Sequence, residues 1–353
     1  MKTLKKVILA LIIGYISLMI IAYSEQVSQA VIVATQRCLN IIVPSLFAFM
    51  VISDYAMTSG VFNNMKLLFR PLGKLLALPD ELVPIFIFAN LGGYPVGISL
   101  LTQCVKSGKC TKRTAEVMSC YCFGAGPAFV MGAVGYGVFS NKSIGIAVFI
   151  SVVSANTVIA MIVNRMYRKD ITVDDHIDTA SNASLVSSIE KTGKALFKVC
   201  LTITAFSVII TLLHQSGLTC VINDFLGLNK SEESIMMSIL EISSLTSIDA
   251  SCTYLLPIIC SVITFGGICV LLQIVTINCQ TISLFNLLVS RIPTSMLTFL
   301  VFKLFFSQYI TQTISVMNYD SEVVVNFNNF IPSICLIIMI ILLYFRKRLV
   351  IKK

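Results

Sequence analysis

The chain alternates between long apolar runs and short polar breaks, and most runs have the length of a membrane span. A span needs about 20 apolar residues. Full spans are therefore expected at Val7–Tyr23, Leu39–Met57, Glu116–Phe139, Ser143–Val163, Ala195–Leu213, Tyr254–Ile277, Ser283–Lys303 and Ile331–Phe345, eight in all. Two further apolar segments are interrupted at mid-length, Val83–Gln103 by "ANLGGYP" and Ile235–Cys252 by "EISSLTSIDAS". Non-helical backbone at membrane depth is tolerated only where it is buried in protein or lines a wet cavity. Gly92, Gly93 and Pro95 are thus expected at the tip of a helical hairpin, with Pro95 in the first turn of the second half-helix. That half-helix would present free N–H groups and a positive dipole end at mid-membrane.

Charge assigns the sides. Most of the 26 basic residues cluster at Lys2/Lys5/Lys6, Lys66/Arg70/Lys74, Lys106/Lys109/Lys112/Arg113, in the loop from Arg165 to Lys198, and in the tail "RKRLVIKK". The positive-inside rule puts all five clusters in the cytoplasm. They share one side if every full span crosses once and neither interrupted segment crosses. Asp224, Glu232, Glu233, Asp320 and Glu322 then face the other side. The interrupted segments are accordingly expected to be re-entrant hairpins, one entering from each side, with both termini cytoplasmic.

Composition agrees. The chain is 56% hydrophobic and 12% charged, with a mean hydropathy of +0.90, where soluble domains carry about 25% charged residues. The net charge of +9 then reports loop orientation rather than nucleic-acid binding. The twelve Cys mostly lie in apolar runs, where Cys packs as a small hydrophobe. Cys120 and Cys122 do not have a metal spacing, and His176 and His214 are distant from them, so no metal, cofactor or disulfide framework is expected. The first apolar run is expected to be a retained helix, although Ser28–Ala30 carries a small-x-Ala pattern compatible with cleavage.

The order of elements repeats. "LFAFMVISDYAMTSGV" (Leu46–Val61) is similar to "ITAFSVIITLLHQSGL" (Ile203–Leu218), and each is followed by an amphipathic stretch, an interrupted segment, a span with an F-G element and a closing span. The first unit starts outside and the second inside. Inverted repeats with interrupted helices at corresponding positions point to a secondary transporter with a midplane site. The expected organisation is an N-terminal helix (1–28), a first repeat (29–164), a flexible cytoplasmic linker (165–194), a second repeat (195–306), and an extracytoplasmic loop, last helix and basic tail (307–353). His176 falls in the linker and is expected to be solvated.

"NLGGYPVG", "SGKCTKRTAEVMSCYCFGAGPAFVMGAVG" and "TFGGICVLLQ" resemble the sporulation integral membrane proteins of the YlbJ type, within the wider gate or nucleoside-recognition domain group. The order of spans and opposed hairpins is also similar to the core of concentrative nucleoside transporters. The resemblance covers about Leu39 to Lys303. It implies a role in endospore formation, moving dipicolinic acid across the outer forespore membrane, which derives from the mother cell. A nucleoside or an ion is the alternative cargo.

The expected substrate contacts follow from these patterns. At the first hairpin they are Asn90, Gly92, Gly93, Tyr94 and Pro95, set against plain small-residue helix packing. At the second they are Glu241, Ser243, Ser244 and Ser247, near Thr246, with Asp249 expected at the outer surface. An ionisable group at membrane depth is a functional candidate by default. Glu241 either sits hydrated near the outer interface or serves function, where it suits coupling to a proton or sodium ion, or a bond to a ligand hydroxyl, but would repel a dianion unless protonated or cation-bound. Phe123, Gly124, Gly126 and Pro127, with Phe265, Gly266, Gly267 and Gln273, mark breaks in crossing helices, or alternatively packing glycines. Asn156 and Thr157 are weaker candidates. Arg291 is a fork for a substrate carboxylate, a partner of a carboxylate such as Glu116 or Glu241, or an arginine that snorkels to the interface. HExxH, GxSxG and P-loop motifs are absent from the sequence, which gives no support to an enzyme or a self-powered pump. A membrane scaffold for spore-envelope assembly is the remaining rival. The oligomeric state is not set by these patterns.

Overall fold

The computed structural model describes residues 2–61, 66–172 and 184–306, with side chains over 6–61, 68–172 and 184–306. Its elements are α1 (Lys2–Ala22), α2 (Ser24–Thr58, passing through a π turn at Cys38–Ile42), α3 (Lys66–Leu76), α4 (Val83–Gly92), α5 (Tyr94–Lys106), α6 (Lys112–Ser119), the π-helical α7 (Ala128–Val138), α8 (Lys142–Met166), α9 (Leu185–Gln215), α10 (Leu218–Leu226), α11 (Lys230–Ser238), α12 (Leu256–Phe265), α13 (Gly267–Asn278) and α14 (Phe285–Phe305). Short 3-10 turns lie at Ile242–Ser247 and Thr253–Leu255. No strand occurs among the described residues. Among the described residues, five helices are long and apolar enough to cross a membrane: α2, α8, α9, the stretch Thr253–Asn278 and α14. The chain is an all-α membrane protein.

Local sequence sets many of the ends. The Thr111 hydroxyl accepts from the Thr114 N–H at the start of α6, and the Asn141 side chain accepts from the Ser143 N–H at the start of α8. Asn229 and Glu232 form a reciprocal capping box on α11. α2 packs along α9, α8 along α14, and α5 against α13, so the elements of the two halves interleave.

Several expected spans have different bounds. Glu116–Phe139 is not one helix: α6 ends at Ser119 and α7 begins at Ala128, with irregular backbone between. Gly124, Gly126 and Pro127 weaken the helix there, and partners from other elements take up the released carbonyls. Tyr254–Ile277 is two helices divided at Gly266, whose φ of +92° only glycine adopts readily. The first interrupted segment is the helix pair α4–α5. The second holds one short helix, α11, and a 3-10 turn, since "EISSLTS" offers side chains that compete for backbone hydrogen bonds. α9 starts at Leu185, so the last part of the expected linker is helical. His176, the last expected span, its preceding loop and the basic tail lie outside the described residues.

Candidate functional site

α4 and α5 fold back on each other across Gly93, which sits at φ +91°. Gly97 of α5 faces Ala89 of α4: a Cβ there would lie 2.9 Å from the Ala89 Cβ and 2.0 Å from the Cys122 carbonyl oxygen. The hairpin therefore seats directly on the unwound backbone between α6 and α7. At its tip, Gly93 meets Gly126, and a Cβ on either would come 3.2 Å from the other's amide nitrogen.

The unwound segment needs donors for its carbonyls. Arg291 of α14 is fully buried. Its Nη1 donates to the Phe123 carbonyl at 3.1 Å and its Nη2 to the Cys120 carbonyl. The guanidinium also stacks on the Phe123 ring, 4.8 Å from the centroid. Asn156 Nδ2 donates to the same Phe123 carbonyl at 3.0 Å and to Asn90 Oδ1 at 2.8 Å. Asn90 in turn donates to the Phe86 carbonyl.

The break at Gly266 is closed differently. The Ile268 and Cys269 amides at the start of α13 donate to the Ile239 and Leu240 carbonyls just past α11, at 2.8 and 2.9 Å. The Tyr94 hydroxyl donates to the Ile263 carbonyl at 2.5 Å, and its ring packs on Phe123 with centroids 5.0 Å apart.

These contacts enclose a cavity of about 220 Å³. Gly92 to Pro95 and Gly126 to Phe129 line it from the first half, and Glu241 to Ser243, Val270 and Gln273 from the second. Ser45 and Phe49 of α2 and Val199 and Ile203 of α9 complete the wall. Its surface is chiefly apolar and aromatic, and no Lys, Arg or His is among the described residues that line it. Two helices, α5 and α7, begin on the wall without side-chain caps. The Val96 amide donates to the Gly93 carbonyl and the Val130 amide to the Gly126 carbonyl, both at 3.1 Å, and Pro95 has no N–H, so the positive end at the start of each helix rests on its first one or two amides.

Two further spaces flank it. One, of about 280 Å³, is lined by Arg37, Thr211, His214, Lys230, Glu233, Ser244 and Ser247, with Glu241 shared between it and the cavity. The other, of about 30 Å³, is lined by Ser53, Asp54, Ser99, Lys191 and Thr192. Along α2 the order is Arg37, then Ser45 and Phe49, then Asp54. Along α9 the same spaces occur in reverse: Thr192, Val199, then His214. The helical rise from Arg37 to Asp54 is about 25 Å, close to the ~30 Å hydrocarbon thickness of a bilayer.

Of the residues singled out from sequence, Gly92, Gly93, Tyr94, Pro95, Gly126, Pro127, Glu241, Ser243 and Gln273 meet at the cavity, and Ser244 and Ser247 line the Arg37 pocket. Asn90, Phe123, Gly124, Gly266, Gly267 and Arg291 lie off the cavity wall, within the packing that closes the helix breaks. The Arg291 hydrogen bonds go to the Cys120 and Phe123 carbonyls and the Ser290 hydroxyl, not to Glu116 or Glu241; Glu116 instead pairs with Arg113 at 3.7 Å and accepts from the Ser283 amide. Thr157 donates within its own helix. Asp249 is exposed, where the Ser251 hydroxyl and amide hold its carboxyl below the usual range. Arg37, Ser45, Phe49 and Phe129 were not expected from sequence. A signal existed for Arg37, one of the few basic residues outside the five clusters.

Comparison with known proteins gave no matching family model, no matching curated protein and no matching solved structure.

Proposed function

We propose that the chain is a secondary transporter working by alternating access around the central cavity. The observation that carries this reading is the succession of three spaces along the antiparallel order of α2 and α9, with the cavity in the middle. In this reading α4–α5 is a re-entrant hairpin entering from the cytoplasmic side. The stretch from α11 through the 3-10 turn at Ile242–Ser247 enters from the opposite side, and the halves form an inverted repeat among eight spans. Both termini are then cytoplasmic. An inverted repeat places substrate at the repeat interface, where half-helix N-termini meet anionic groups. The starts of α5 and α7 supply such ends, and Glu241, Ser243 and Gln273 supply polar contacts opposite them.

The cavity volume lies below the ~300–1,000 Å³ of pockets for drug-sized ligands, which suits a single-ring cargo against Phe49, Tyr94 and Phe129. The resemblance to YlbJ-type sporulation proteins makes dipicolinic acid the proposed cargo and the outer forespore membrane the proposed location. One carboxylate would meet the helix ends; the other, facing Glu241, needs a proton or cation between the two groups. The absence of Lys, Arg and His from the lining favours a second reading, a neutral ring such as a nucleoside.

The test is uptake by the purified protein in liposomes, offering labelled dipicolinate and labelled uridine side by side, with Gly93→Leu as control. Dipicolinate uptake that the control loses supports the first reading. Uridine uptake alone replaces the cargo and keeps the mechanism. Failure of both by folded protein removes the transport reading and returns weight to a scaffold.

A further inference from the structure

Glu241 stands where the cavity and the Arg37 pocket meet, and it lines both. It is 3% exposed. Both of its carboxylate oxygens accept hydrogen bonds from Ser243: Oε1 from the amide at 2.9 Å and Oε2 from the hydroxyl. The same Ser243 oxygen accepts from Arg37 Nη1 at 2.5 Å. In its ionised form the carboxylate accepts both of these bonds. A cation on α2 is thus tied through one hydroxyl to an anion just past α11, across the boundary between the two spaces.

We propose that Glu241 is a proton-exchanging latch: ionised, it holds Arg37 through Ser243 and closes the cavity from the Arg37 pocket; protonated, it releases Arg37 and opens that boundary. The inference rests on the transport reading and names its coupling ion as a proton. The proton passes from solvent in the Arg37 pocket to Glu241 Oε2, and later from Oε2 to solvent or cargo in the cavity. No other bond changes. With Oε2 protonated, its O–H donates to Ser243 Oγ in place of the reverse bond, and Arg37 no longer faces an anion through that hydroxyl.

The other groups around Glu241 are Cys38 from α2 and Cys269 from α13. Farther out in the pocket lie His214 from α9 and Lys230 and Glu233 from α11. His214 Nδ1 sits 3.3 Å from Glu233 Oε1, and the Thr219 hydroxyl occupies the same ring nitrogen at 3.2 Å. His214 is therefore engaged away from the latch and is the control group for its titration.

The test needs no cargo, so its failure is distinct from failure of the transport reading. Ser45→Cys places a thiol on the cavity wall. Its reaction with a membrane-impermeant maleimide is read by mass spectrometry relative to exposed Cys220 in the same chain, which cancels the reagent's own pH dependence. The ratio is expected to rise several-fold as pH falls, to be high at every pH with Glu241→Gln or Arg37→Gln, and to keep its pH response with His214→Gln. A flat ratio in the parent, a retained pH response with Glu241→Gln, a low ratio with Arg37→Gln, or a response lost with His214→Gln would each overturn the latch.

Discussion

The breaks in the two halves solve the same problem by different chemistry. Both leave backbone carbonyls and amides unpaired away from bulk water, where each unpaired group is costly. Between α6 and α7 the partners are side chains, with Arg291 and Asn156 holding the Cys120 and Phe123 carbonyls. At Gly266 the partners are mainly backbone, with the start of α13 donating to the carbonyls after α11. The difference decides what each half can offer a ligand. The α13 amides at 268 and 269 are spent on the carbonyls after α11, whereas α5 and α7 start on the cavity wall without side-chain caps. Electropositive helix ends come from the first half and the carboxylate of Glu241 from the second.

The largest expected effect tests whether the first hairpin truly seats on the break. Gly97→Val collides with backbone, the Cys122 carbonyl, which cannot move aside as a side chain would. It should destabilise the protein by more than about 3 kcal/mol, read as a lowered melting temperature in detergent. An unchanged melting temperature would separate hairpin from break.

Arg291→Met comes next, because it strips donors from two buried carbonyls at once. A loss of about 2–5 kcal/mol is expected, partly restored by Arg291→Lys, whose ammonium cannot fork to both. Uptake of anionic and neutral cargo should fall alike in Arg291→Lys. A selective loss for the anion would put Arg291 on the transport path.

Tyr94→Phe orphans the single Ile263 carbonyl, and about 1–3 kcal/mol should be lost in the same melting assay. A loss as large as that of Arg291→Met would mean that side chains matter equally at both breaks. The smallest effect is expected from Gly124→Ala. Its Cβ would come 3.1 Å from Asn156 Nδ2, which is buried and bonded to Asn90 and Phe123 and must give by only a few tenths of an ångström, so the cost should be about 1 kcal/mol.

Hydropathy alone marks α8 and α14 to within a few residues, because a span is a simple count of apolar residues, but it misses the more polar starts of α2 at Ser24, against the expected Leu39, and of α9 at Leu185. Clustered Gly, Pro and Asn in "ANLGGYP" likewise expose the turn at Gly93. The break between α6 and α7 is harder to read: "EVMSCYCFGAGPAFVMGAVG" is apolar enough to pass as one span. What holds it open is Arg291, far away in sequence. Arg291 itself shows why the site was only partly legible. A buried arginine suggests a ligand or a carboxylate partner, and backbone carbonyls leave no mark in a residue string. Arg37 was missed for the opposite reason, since its neighbour Ser243 is close only after α2 and the segment following α11 have packed.

The Arg291–Phe123 hydrogen bond also has a consequence for how the protein is made. Its partners are 168 residues apart. At ~5–20 residues per second, the ribosome delivers Arg291 on the order of ten to thirty seconds after Phe123. Throughout that interval the Cys120 and Phe123 carbonyls lack the guanidinium that satisfies them. The first half enters the membrane unfinished, and its completion is the work of the last described helix to be synthesised.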